Sequence, residues 1–182
     1  MNILLGGTGS VASIKYLKLF DALQEVGNVK GILTQKALHF LQRREVPNKD
    51  RTLYTDNDEW HWKEIGDPVI HIDLKEWADI FVIAPLSANT LAKIANGLCD
   101  NLLTSVYRAW PTNKPIIIAP AMNTDMWYHP ITQEHLKTFA RHNPVSNIIN
   151  PVSGNLACGT EGVGAMAPIS SIVECVKIRV SY

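Results

Sequence analysis

The chain has 182 residues, 46% of them apolar, enough for one substantial core and too few for two comfortable domains. Lysine plus arginine equals aspartate plus glutamate at 17 each, so no net field draws the protein to a phosphate backbone or an anionic membrane, and neither nucleic acid nor a membrane is an expected partner. Three cysteines without a C-x-x-C spacing and six dispersed histidines point to neither a disulfide framework nor a metal site.

Residues 2–5 form a short apolar run without a basic flank. They read as a strand rather than a signal peptide or membrane anchor, and a cytoplasmic protein is expected. Gly6-Gly7-Thr8-Gly9-Ser10 then reads as a turn, and Leu17, Phe20 and Leu23 mark the buried face of a helix. A second strand is predicted over residues 29–34 and a short helix over 36–41. Residues 43–67 form a polar excursion long enough to suspect function. The runs 80–84 (I-F-V-I-A) and 115–119 (P-I-I-I-A) are continuous and apolar, as strands buried on both faces are, and each meets a proline at its exit. Helices are expected from Ser87, over 132–140 and over 170–178, with a further strand over 145–149. Residues 150–168 are rich in glycine and small residues and read as a mobile flap, in which Gly154, Gly159, Gly162 and Gly164 would permit closure over a substrate.

Strands alternating with helices predict an α/β fold: one doubly wound, mainly parallel sheet of Rossmann or flavodoxin-like type over residues 1–182, with a lid at 150–168. Ligands of such sheets bind beyond the carboxyl ends of the strands. Three of those ends, at residues 6–10, 84–90 and 119–123, carry the informative side chains.

Gly7-Thr8-Gly9-Ser10-Val11-Ala12 fits the G-x-G-x-x-A form of the dinucleotide fingerprint, although an ordinary tight turn has the same composition. The fingerprint also expects an acidic residue about 20 positions on, to hold a ribose hydroxyl. Leu33-Thr34-Gln35 stands there instead, so a mononucleotide, which needs only a phosphate cradle, is the better candidate and FMN the expected cofactor. Ser87 reads equally as a helix cap or as part of a phosphate or flavin site.

The blocks Gly9-Ser10-Val11-Ala12-Ser13-Ile14-Lys15, Pro85-Leu86-Ser87-Ala88-Asn89-Thr90, Pro120-Ala121-Met122-Asn123 and Ala157-Cys158-Gly159 together resemble the signature blocks of the homo-oligomeric flavin-containing cysteine decarboxylases. The stretches beginning Gly66-Asp67-Pro68 and Gly97-Leu98-Cys99 are similar to those of the eukaryotic phosphopantothenoylcysteine decarboxylases within that family. The resemblance spans nearly the whole chain. It implies FMN held by Gly9, Ser10, Val11, Thr34, Ser87, Ala88, Asn89, Thr90 and Ala121, catalysis by His71 and Cys158, and substrate contacts at Asn123 and Ala157. The reaction it implies is oxidation of a substrate cysteine, loss of carbon dioxide and return of hydride to the resulting enethiol. It further implies a homotrimer with the flavin near subunit boundaries. Thr160 and Pro168 stand where the family commonly has acidic residues.

Each role suits its residue type. A histidine is substantially neutral at pH 7 and can accept a thiol proton, although in an apolar run such as residues 69–74 a core histidine is the commoner occupant. Asparagine offers amide donors to a departing carboxylate, and is also a common turn residue. Cys158 lies in a glycine-rich setting, unlike the apolar helices expected to hold Cys99 and Cys175. An unperturbed thiol, with a pKa of about 8.5, is mostly protonated at neutral pH and can donate. Two other readings stand beside this one. The first is a flavin-binding regulatory subunit of a protein phosphatase, as some fungal relatives are, although the sequence ends at Ser181-Tyr182 without their acidic tail. The second is a peptidyl-cysteine decarboxylase of the same superfamily, which shares more of the His71, Asn123 and Cys158 set than the flavin prenyltransferases do.

Overall fold

The structure, a computed structural model, describes residues 1–41, 52–155, 159 and 161–180. Strict alternation along the inner strands explains why a sheet forms and why helices cover both of its faces. Ile3 and Leu5 of β1 (Asn2–Gly7) point into one cluster and Leu4 into the other. After α1 (Tyr16–Gln24), Ile32 of β2 (Asn28–Leu33) joins the second cluster. Further elements follow in the order α2 (Gln35–Phe40), β3 (Thr52–Thr55), α3 (Asp56–Glu59), α4 (Ile70–Trp77) and β4 (Ile80–Leu86). The chain continues through α5 (Ala88–Asn96), α6 (Leu102–Ala109), β5 (Ile116–Pro120), α7 (Thr124–Tyr128), α8 (Pro130–His142) and β6 (Asn147–Ile148). It ends with β7 (Val152–Asn155), β8 (Glu161–Ala165) and α9 (Ile169–Val180).

Val82, Ala84, Ile117 and Ala119 pack with Tyr16, Phe20 and Leu23 of α1 and with Ile172 and Val176 of α9. Phe81, Ile83, Ile116 and Ile118 pack with Leu74 of α4, Leu91 of α5, Val106 of α6 and Phe139 of α8. Each such aliphatic or aromatic side chain contributes roughly 1.5–3 kcal/mol when fully buried. Two full layers of them offset the chain entropy of ordering the sheet.

The six-stranded sheet runs β3-β2-β1-β4-β5-β6 with every pair parallel. The chain winds outward from β1 to β3, returns to β4 beside β1, and winds outward again to β6. The order therefore reverses between β1 and β4, the point beyond whose carboxyl ends ligands of such sheets bind. The doubly wound parallel sheet expected from the sequence is the one observed.

Departures from expectation have local causes. Residues 43–51 of the polar excursion lie outside the described residues, but its later part forms β3 and the single turn α3. This four-residue edge strand is only half-buried and so carries no apolar run. Strand β4 runs past the expected stop, because Pro85 falls where the register to β5 shifts between Ile83 and Leu86 and a missing N–H breaks no ladder bond. Helix α8 starts early at Pro130, an N1 position where proline's lost donor costs nothing. Cys99 is not in a helix: α5 ends at Gly97, left-handed at φ 73°, and Cys99 is exposed on the following loop. Residues expected as a flap include an antiparallel hairpin, β7 with β8. Residues 156–158 and 160 lie outside the described residues.

Candidate active site

At the switch point between β1 and β4, side chains tie the strand ends together. Thr8, buried directly after β1, donates its hydroxyl to the Pro85 carbonyl at 2.8 Å and accepts the Ser87 N–H at 2.7 Å. The Thr34 N–H donates to the Gly7 carbonyl, and the Ala121 N–H to the Leu86 carbonyl. Ser10 Oγ reaches across to the Ala121 carbonyl at 3.2 Å. The strand ends bearing Thr34, Ser10, Ser87 and Ala121 thus form one continuous rim.

Helix starts converge on this rim. Ser87 caps α5 by accepting the Thr90 N–H at 3.3 Å, and Thr34 caps α2 by accepting the Ala37 N–H at 3.3 Å. The first turn of α5 carries Ala88 and the exposed Asn89, and its uncompensated amides give the helix a positive end there. After Ser10 the chain makes a 3-10 turn over Val11–Lys15, so α1 begins only at Tyr16. The fingerprint glycines serve packing here. A Cβ on Gly7 would lie 2.6 Å from the Tyr16 ring, and one on Gly9 2.6 Å from Lys36 Cβ. Neither glycine is among the positive-φ residues.

Beside the rim lies a cleft of about 440 Å³, lined among others by Ser10, Val11, Ile14, Ala121, Met122 and Asn123. Asn123 caps α7, its Oδ1 accepting the Asp125 N–H at 2.9 Å, which fixes the plane of the amide. The hairpin closes one wall with Asn155, Gly164 and Ala165. It is seated on the β5–α7 loop by the Met122 N–H donating to the Gly164 carbonyl at 3.0 Å.

His71 stands on the first turn of α4 and is not among the residues lining this cleft. Its neighbour Ile70 instead lines a second cleft of about 420 Å³ with Tyr54, Asp58 and Trp62. Burial, reinforced by the Asp58 and Asp73 carboxylates, pushes the Tyr54 phenol above its ordinary value. The Glu59 carboxylate accepts the His71 backbone N–H at 3.1 Å and pairs closely with His71 Nδ1. A single chain therefore brings Ser10, Val11, Ala121 and Asn123 to one cleft and leaves His71 off its lining, next to Ile70 of the second. Ala157 and Cys158 lie outside the described residues.

Sequence reasoning missed Thr8 and Glu59. Thr8 was visible only as the variable residue of the glycine motif. Thr55-Asp56-Asn57-Asp58 does carry a readable helix-start pattern, with Asp58 accepting the Thr55 N–H at 2.6 Å. Nothing in it names His71 as the partner of the next residue.

A doubly wound parallel sheet with helix starts converging on its switch point and an apolar cleft beside them defines an α/β protein of the nucleotide-binding type. The family described as flavoprotein matches residues 1–181, and the chain belongs to the flavoprotein family. The phosphopantothenoylcysteine decarboxylase of Oryza sativa subsp. japonica is 51% identical over 178 residues, covering 97% of this chain and 79% of the relative. Among solved structures, a cysteine-to-serine mutant of PPC decarboxylase complexed with pantothenoylaminoethenethiol superposes with a TM-score of 0.95. It shares 48% identity and covers 100% of this chain and 98% of its own. The FMN binding protein AtHal3 superposes at 0.89 with 50% identity, covering 98% of this chain and 95% of its own.

Proposed function

We propose that this protein is an FMN-dependent decarboxylase that converts 4'-phosphopantothenoylcysteine to 4'-phosphopantetheine in coenzyme A biosynthesis. The observation that carries this reading is the full-length likeness, at 48% identity, to a PPC decarboxylase complexed with pantothenoylaminoethenethiol.

The residues present fit FMN. Val11, Ile14 and Met122 offer apolar walls to a flat heteroaromatic ring, and Ser10 and Asn123 supply polar groups beside it. The positive end of α5, at Ala88 and Asn89, suits a phosphate. Gly9, Thr34, Ser87, Thr90 and Ala121 complete the proposed cofactor site. When bound, FMN supplies reversible two-electron oxidation. In this reading His71 takes the substrate thiol proton at Nε2, and Asn123 Nδ2 donates to the carboxylate that leaves. Ala157 contacts the substrate. Cys158 Sγ returns a proton to the enethiol that remains after carbon dioxide departs.

Residues 150–168 act as a lid over this site, within one flavoprotein domain spanning 1–182. The separation of His71 from the cleft of Asn123 suits a site shared between facing surfaces of neighbouring copies, and the proposed assembly is a homotrimer. No helix among the described residues is long and apolar enough to cross a membrane, and the cytoplasm is the proposed location.

The test follows the visible spectrum and carbon dioxide release from phosphopantothenoylcysteine in the wild type and in Cys158→Ser, with light scattering for the assembly. A yellow trimer that makes phosphopantetheine, with the variant stalling at the enethiol, supports the reading. A colourless protein that cannot be reconstituted with FMN overturns it.

A further inference from the structure

The Glu59 carboxylate spends both oxygens on one residue. Oε2 accepts the backbone N–H of His71 at 3.1 Å, and Oε1 meets Nδ1 of its ring. An ionised carboxylate can only accept, so its contact with Nδ1 matches the tautomer that carries its proton there. The two contacts fix the ring relative to its own backbone, and they leave Nε2 as the nitrogen with a lone pair. The pair is sheltered without being sealed, the His71 and Glu59 side chains being 27% and 18% exposed.

The turn that carries Glu59 is anchored at both sides. It ends the single turn α3, whose Asp58 carboxylate accepts the Thr55 N–H at 2.6 Å and its hydroxyl at 2.9 Å. Asp56 Oδ1, on the same turn, accepts the first amide of α6, at Leu102, at 3.0 Å. Asp56, Asp58 and Glu59 thus each have a named partner, and the turn they form bridges α4 and α6. This is more anchoring than a solvated acidic face needs.

We infer that Glu59 is a positioning residue for the decarboxylation, selecting the His71 tautomer protonated at Nδ1 so that Nε2 faces the substrate proton. The inference rests on the reading of His71 as the base. It also assigns a charge role: when Nε2 takes a proton, the positive ring is met by a carboxylate already in contact with it. A carboxylate that merely capped α4 would need only the backbone contact.

The experiment uses FMN-loaded protein labelled with ¹⁵N at histidine, and reads the tautomer of each ring from long-range ¹H–¹⁵N correlations. The His71 signals are identified by their loss in His71→Gln. The expected result is that the neutral form of His71 is protonated at Nδ1 in the wild type and shifts toward Nε2 protonation in Glu59→Gln, which retains an acceptor for the helix cap but no second one. In steady-state turnover, Glu59→Gln is expected to lose at least about 10-fold in kcat with KM held within about twofold, part of the 10²–10⁴ that a positioned base contributes. A wild-type His71 protonated at Nε2, or a Glu59→Gln variant with unchanged tautomer and kcat, overturns the inference. Failure of the underlying reading shows separately: His71→Gln would then turn over normally, whatever tautomer Glu59 selects.

Discussion

Thr8 joins the two strands on either side of the switch point: its hydroxyl donates to the Pro85 carbonyl while its oxygen accepts the Ser87 N–H at 2.7 Å. Both partners are buried, so removing the hydroxyl strands a donor away from water. Thr8→Val keeps the shape and loses both bonds. It is expected to cost about 1–3 kcal/mol, lowering the melting temperature by about 2–4 °C for each kcal/mol in a chain of this size. Thr8→Ser should stay near wild type. Thermal unfolding checks this, and a Val variant as stable as wild type would show that the Thr8 hydroxyl does not hold the strand ends together.

The hairpin lies on the β5–α7 loop because two of its residues have no side chain. A Cβ at Gly162 would come within 2.3 Å of Thr124 Oγ1, and one at Gly164 within 2.1 Å of the Met122 carbonyl. Gly162→Ala and Gly164→Ala are each expected to destabilise by about 1–3 kcal/mol through overpacking. Adding Thr124→Ala should recover stability for Gly162→Ala alone, since the other clash is with backbone. A double-mutant cycle measures the difference, and equal coupling at both glycines would contradict the docking described.

The positive end of α5 makes opposite predictions for stability and for cofactor affinity. Asn89→Asp places a carboxylate on the first turn, where it should stabilise the apo protein by about 0.3–1 kcal/mol. The same charge should weaken FMN binding by repelling its phosphate, more at low ionic strength than at high. Fluorescence titration with FMN at two salt concentrations tests this. Unchanged affinity at low salt would place the phosphate elsewhere.

Cys99 and Cys175 differ in exposure, and a thiol reagent should report it. Cys99 is exposed on its loop, whereas burial pushes the half-buried Cys175 thiol above its ordinary value, so less of it is thiolate at a given pH. In a Cys158→Ser background at pH 8, the fast-labelling thiol is expected to be Cys99, with Cys175 following as the pH rises. Adding Cys99→Ser should abolish the fast phase. Mass spectrometry of the labelled peptides decides, and Cys175 reacting first would contradict the packing of α9.

What the sequence determined by itself was whatever short windows encode. Ile3, Leu4 and Leu5, or Phe81, Val82 and Ile83, show by uninterrupted apolar character that both sheet faces are covered. Ser87 and Thr34 announce the helix starts they cap. Because a parallel sheet places every strand's carboxyl end on one edge, reading the strands also located Ser10, Ser87, Ala121 and Asn123 near one another. The tertiary structure alone decided the pairings. Thr8 with Ser87 is a contact across 79 positions, and Glu59 with His71 joins a half-exposed turn to a helix start. The four-residue edge strand β3 carries too little apolar surface to register as a pattern. The physical reason is one of range: burial imposes a periodicity that local sequence must obey, whereas a hydrogen bond between distant elements needs only one donor and one acceptor, and the fold chooses which of many meet.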